Sequence, residues 1–126
     1  MVEILVVDDN LQLRDTLRTI LNKRPGFCVT GEAADGIAAS QLAQTLRPTV
    51  VLMDVGMARM DGVEATRRIR ALLPDTVIIG MSCHNSREVE TALRAVGAHA
   101  FLPKALVPEK IFDVIAQQLP QDQPVP

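Results

Sequence analysis

The chain has 126 residues, a formal net charge of −2, 48% hydrophobic and 22% charged residues. That suits one globular domain with a hydrophobic core of its own, and the acidic balance argues against a nucleic-acid surface built on net charge. Three Phe, no Trp and no Tyr leave base stacking, aromatic cages and flavin sandwiches poorly supplied.

Apolar runs alternate with segments of helical period. Ile4-Leu5-Val6-Val7 reads as a strand that ends abruptly at Asp8-Asp9. Leu13, Leu17, Ile20 and Leu21 then mark one face of a helix, broken at Pro25-Gly26. Phe27–Ala33 reads as a second strand; Asp35-Gly36 caps a helix whose stripe is Ile37, Ala38, Leu42 and Leu46, up to Pro48. Val50-Val51-Leu52-Met53 is continuously apolar, as a strand buried on both faces should be, and ends at Asp54. After a loop, Asp61-Gly62 opens a helix with Val63, Thr66, Ile69 and Leu73 inward, closed by Pro74. Val77–Met81 is the fourth strand, ending at Ser82. Val89, Ala92, Leu93 and Val96 predict the next helix face, with Gly97 as its left-handed cap. Ala100-Phe101-Leu102 is the fifth strand, running toward Lys104, and His99 just before it reads as an exposed polar residue. Pro108 opens a last helix with Ile111, Val114, Ile115 and Leu119 inward.

Five β/α units in a row imply parallel strands, right-handed crossovers and a three-layer α/β sandwich. Residues 1–119 are expected to form that domain, with the polar, Pro-rich 120–126 as a tail or the start of a linker. Cys28 and Cys83 lie in no CxxC or zinc-spaced cluster and are expected as reduced thiols. No apolar run approaches the roughly 20 residues that span a bilayer, and Met1–Val7 lacks a basic start and long apolar core. The expectation is a cytoplasmic protein with no membrane partner.

In an open parallel sheet, ligands bind beyond the carboxyl ends of the strands. Here those ends carry Asp8, Asp9, Asp54, Ser82 and Lys104. Asp8-Asp9-Asn10 alone would suit a helix cap; together with the other strand ends it becomes part of a site. Three crowded carboxylates repel one another, and Mg²⁺ resolves that with hard oxygen ligands. A carboxylate can also attack phosphorus to give an acyl phosphate. Mg²⁺ and Lys104 would neutralise the phosphoryl oxygens, and the Ser82 hydroxyl would donate a hydrogen bond to one of them.

Over Val2 to Leu119 the chain resembles the receiver domains of bacterial two-component response regulators. The resemblance rests on Val6-Val7-Asp8-Asp9-Asn10, on Val51–Met57 with Met60-Asp61-Gly62, on Ser82, and on Gly97-Ala98 through Phe101 to Lys104. Met60–Ile69 and Met81-Ser82-Cys83-His84-Asn85 are similar to receivers that precede a LuxR-type helix-turn-helix domain. The resemblance implies a flavodoxin-like (βα)5 fold with strand order 2-1-3-4-5. It implies that Asp54 accepts a phosphoryl group from a sensor histidine kinase, and that Asp8, Asp9, Asp54 and the Gly56 carbonyl hold Mg²⁺. It further implies that Ser82 and Lys104 contact the phosphoryl group and that Phe101 is a switch aromatic. The face of helix 4, strand 5 and helix 5 would then control an output, here transcription, with a homodimer forming on phosphorylation. DNA would be reached only through an output domain outside this chain. Cys83 would sit where a small residue controls access to the phosphoryl group, where it could tune dephosphorylation or be oxidised.

Three positions depart from the family's pattern: Ala58 stands where Pro is common, Phe101 where Tyr is commoner, and Ala105 where many receivers carry a cis-Pro. A dehalogenase-like phosphatase would need a second Asp where Gly56 stands, and a cap domain. A flavodoxin-like cofactor binder would need a phosphate loop, and neither G-x-G-x-x-G nor G-x-x-x-x-G-K-[ST] is present. The remaining alternative is a pseudo-receiver that acts by protein binding without phosphorylation. A Cys83-His84 nucleophilic pair is not expected, because adjacent side chains seldom point together. The protein reads as a signalling module and not as an enzyme.

Overall fold

A computed structural model describes residues 1–55, 61–83 and 87–120. The apolar runs form β1 (Val2–Val7), β2 (Phe27–Ala33), β3 (Val50–Asp54), β4 (Val77–Ser82) and β5 (Ala100–Pro103). They pair in parallel in the order β2-β1-β3-β4-β5. Between them run α1 (Leu11–Asn22), α2 (Gly36–Leu46), α3 (Gly62–Leu72) and α4 (Arg87–Ala95). A 3-10 turn over Lys104–Leu106 leads into α5 (Val107–Gln118). This is the expected flavodoxin-like sandwich.

Side-chain alternation along the central strands sorts the core into two halves. Ile4, Val6, Val50, Leu52, Ile79 and Met81 face Leu17 and Leu21 of α1 and Ile111 and Ile115 of α5. Leu5, Val7, Val51, Met53 and Ile78 face Ala39 and Ala43 of α2, Ala65 and Ile69 of α3, and Leu93 of α4. Each large side chain so buried contributes about 1.5–3 kcal/mol relative to exposure.

The helices start where Asn or Asp precedes them. Asn10 Oδ1 accepts the Leu13 N–H at 3.1 Å, Asp35 Oδ1 that of Ala38 at 2.8 Å, and Asp61 Oδ1 that of Glu64 at 2.8 Å. Gly97 ends α4 as expected. Its N–H donates to Arg94 O (3.1 Å), and its φ of +110° turns the chain so that the Ala98 N–H reaches Leu93 O (3.0 Å).

Three expectations need correction. On α2 the residues against the sheet are Ala39 and Ala43, with Ala38, Leu42 and Leu46 only half-buried and Ile37 exposed. Small residues on that face let the helix lie close, so hydrophobic size was a poor guide to its phase. On α4 only Leu93 is buried, Val89 is half-buried, and Ala92 is exposed. His99 is not a free surface residue. Its Nδ1 accepts the Ile78 N–H at 3.1 Å and its own N–H donates to Ile78 O at 2.8 Å, which extends the β4–β5 pairing backward.

Accepting at Nδ1 requires a neutral ring. Burial, and then the Arg70 guanidinium, hold the His99 imidazole below its ordinary value of 6.5. The unfolded chain therefore takes up this proton first as pH falls, so the stability linked to His99 is present above its ordinary value of 6.5 and is lost as pH falls below it, through the lowered folded value. Urea unfolding of the parent should weaken over that interval relative to His99→Asn, which keeps an acceptor but cannot titrate. Identical pH slopes would contradict this role for His99.

Candidate functional site

Register brings the charged strand ends to one edge. Val7 pairs with Met53 across β1 and β3, which sets Asp8 level with Asp54. Asp54 pairs with Met81, and Ser82 with Pro103, so Ser82 and Lys104 fall on the same edge. Alternation then assigns the sides. Asp54 continues the phase of Leu52, toward α1 and α5, while Phe101 packs with Leu93 on the opposite side.

Asp8, Asp54 and Ser82 are 0%, 3% and 4% exposed. The Lys104 ammonium lies 2.8 Å from Asp8 Oδ2 and 3.1 Å from Asp54 Oδ1. Burial works against its charge, but pairing with the two carboxylates outweighs burial and holds Lys104 above its ordinary value. Asp8 Oδ1 accepts the Asn10 N–H at 2.8 Å. Asp8 Oδ2 has the neighbouring charge but, among the described residues, no aligned hydrogen bond. Oxygens of Asp8, Asp9 and Asp54 lie within 4.8 Å of one another. Within this set three carboxylates face one ammonium, which leaves two negative charges.

A cleft of about 370 Å³ opens over the set, lined by Asp9, Asp54, Val55, Ser82, Cys83, Val89 and Lys104. Five of the expected site residues therefore share one edge, and Cys83 stands exposed at the cleft wall. Phe101 does not line it. Its ring is half-buried beside Gly80, where an added Cβ would lie 3.4 Å from Phe101 Cδ2 and 2.4 Å from Leu93 Cδ1. Gly56, Ala58 and His84, with the 121–126 tail, lie outside the described residues. No cis peptide bond occurs among the described residues, so Lys104–Ala105 is trans. Both cysteines are free thiols, and no described helix is long and apolar enough to cross a membrane.

The motif Asp61-Gly62 acquires a physical reason here. The start of α3 presses on the backbone of Asp54: a Cβ on Gly62 would lie 2.1 Å from Asp54 O and 2.8 Å from Val55 Cα. Only glycine permits that approach. Sequence reading recognised the motif but not this contact. It also missed Arg14, whose Nη1 donates to the Asp8 carbonyl at 2.6 Å.

With this geometry in hand, the chain belongs to the response regulator receiver domain family, whose model matches residues 4–116. It is 44% identical over 119 residues to protein-glutamate methylesterase/protein-glutamine glutaminase 4 of Myxococcus xanthus, a match that covers 92% of this chain and 33% of that protein. It is 36% identical over 115 residues to the transcriptional regulatory protein YxjL of Bacillus subtilis, covering 90% of this chain and 52% of that one. The Vibrio cholerae chemotaxis protein CheY4 has the same fold, with a TM-score of 0.86 at 31% identity over 94% of this chain and 99% of that one. The chain thus spans about a third to a half of these curated relatives, and the receiver is the part they share with it.

Gly62→Ala should cost more than about 2 kcal/mol, because rigid backbone must move. Gly80→Ala meets chiefly the flexible end of Leu93 and should cost about 1 kcal/mol or less. Urea midpoints check the order, and equal costs would contradict the close approach at Asp54.

Proposed function

We propose that this receiver accepts a phosphoryl group on Asp54 from the phosphohistidine of a sensor kinase, with Mg²⁺ held at the acidic cluster. The observation that carries this reading is the buried Asp54 carboxylate at the cleft floor, beside Asp8, Asp9 and Lys104. The donor set fits the ion: hard oxygens from three carboxylates, two uncompensated charges, and a buried Asp8 oxygen without an aligned hydrogen bond. Asp8, Asp9 and Asp54 would hold Mg²⁺, with the Gly56 carbonyl assigned from the family pattern. When bound, the ion supplies charge neutralisation for the transferred group.

The chain's own part is nucleophile, positioning and switching. Asp54 supplies the attacking oxygen; the donor's phosphorus–nitrogen bond breaks and an acyl phosphate forms. Lys104 leaves Asp54 to pair with the new phosphoryl oxygens, and Ser82 turns its hydroxyl toward them. On the family pattern Phe101, which packs with Leu93 beside Gly80, follows the movement of Ser82, so the face of α4, β5 and α5 changes shape. That face passes the signal to a partner or to a second copy of the chain. The domain occupies 1–119, with 120–126 as a tail or the start of a linker, and works in the cytoplasm. Control of transcription is the output we favour, on the resemblance to regulators such as YxjL; the methylesterase relative joins a receiver to a different output.

Intact-mass spectrometry after incubation with acetyl phosphate and Mg²⁺ tests the reading. The parent should gain one phosphoryl group, and Asp54→Ala or removal of Mg²⁺ should abolish the gain. A parent that takes up no phosphoryl group from acetyl phosphate or from a phosphorylated kinase would support the pseudo-receiver instead.

A further inference from the structure

The Asp8-Asp9 turn is held by a residue that the phosphoryl reaction itself does not use. Arg14 stands one turn into α1, with a side chain only 14% exposed. Its Nη1 donates to the Asp8 carbonyl at 2.6 Å, and its Nε lies 3.3 Å from Glu32 Oε1 on β2. Glu32 is steadied in turn by Arg18, whose Nη1 lies 2.5 Å from Oε2, and Arg18 reaches Asp15 at 2.9 Å. One guanidinium therefore ties together the end of β1, the first turn of α1 and the outer strand β2. Hydrogen bonds inside the turn, from Asn10 N–H to Asp8 Oδ1 and from Arg14 N–H to Asn10 O, complete the bracket.

We propose that Arg14 is a positioning residue that sets the affinity of the acidic cluster for a divalent cation by fixing the Asp8-Asp9 backbone. The inference rests on the proposed Mg²⁺ site. Two effects of Arg14 oppose each other. As a cation it would repel a metal ion, and removing it would tighten binding. As a clamp it pre-organises the carboxylates, and removing it would weaken binding. Glu32 and Asp15 decide between them: together they balance the Arg14 and Arg18 guanidinia, so the net charge that Arg14 presents to the site is largely cancelled. Positioning is what remains. Partners that orient metal ligands from outside typically change metal affinity by about 10–100-fold. Lysine cannot replace the fork, because one ammonium does not span the Asp8 carbonyl and Glu32 as a guanidinium does.

Calorimetric titration of the intact protein with MgCl₂ tests this. Arg14→Ala should bind Mg²⁺ about tenfold more weakly than the parent, and Arg14→Lys should fall between the two. Arg67→Ala, an exposed substitution on α3 that touches Glu64, should match the parent. Circular dichroism melts establish which variants are folded. Unchanged or tighter binding in whichever Arg14 variant folds would overturn the proposal. Absence of Mg²⁺ binding in the parent would instead overturn the metal site on which it rests.

Discussion

The Lys104 ammonium, held between the buried carboxylates of Asp8 and Asp54, is the constraint that organises this molecule. Buried charges of one sign are costly, and removing one partner of a buried pair costs about 3–5 kcal/mol because the other is left uncompensated. The three side chains come from the residue after β1, from the end of β3 and from the turn after β5. They can meet only if the sheet order and register are those observed. Lys104 offsets only part of the local negative charge, with Asp9 close by. The structure is thus electrostatically incomplete at one edge of the sheet, and that surplus of negative charge is what suits it to a cation.

Glycines and caps serve the same edge. Gly62 brings the start of α3 against the Asp54 backbone, while Asp61 caps the helix that makes this approach. Gly80 leaves room for Leu93 and Phe101 on the α4 side of the sheet. The opposite edge is closed by different chemistry: His99 extends the β4–β5 ladder, and Gly97 terminates α4 just before it.

Much of this fold is legible in the sequence. Continuous apolarity marks β3 and β4 as buried on both faces, and the alternation of strands and helices is enough to bring the strand-ending residues Asp8, Asp9, Asp54, Ser82 and Lys104 to one edge. Helix phase is less legible. Hydrophobic size points to Ile37 on α2, but the sheet accepts the small residues Ala39 and Ala43, since closeness matters there more than bulk. His99 looks solvated because a polar side chain gives no sign that a backbone N–H from another strand will find it. Arg14 and Glu32 lie 18 positions apart, on elements whose adjacency only the fold establishes, so no local pattern could join them.

A divalent cation that completes the charge balance of a folded but incomplete site must stabilise the folded state, because it binds that state alone. Urea unfolding with and without saturating Mg²⁺, on the parent and on Asp8→Asn, tests this most directly. Mg²⁺ should raise the unfolding midpoint of the parent and leave that of Asp8→Asn nearly unchanged. An equal response in the two proteins would contradict a cation held by the acidic cluster.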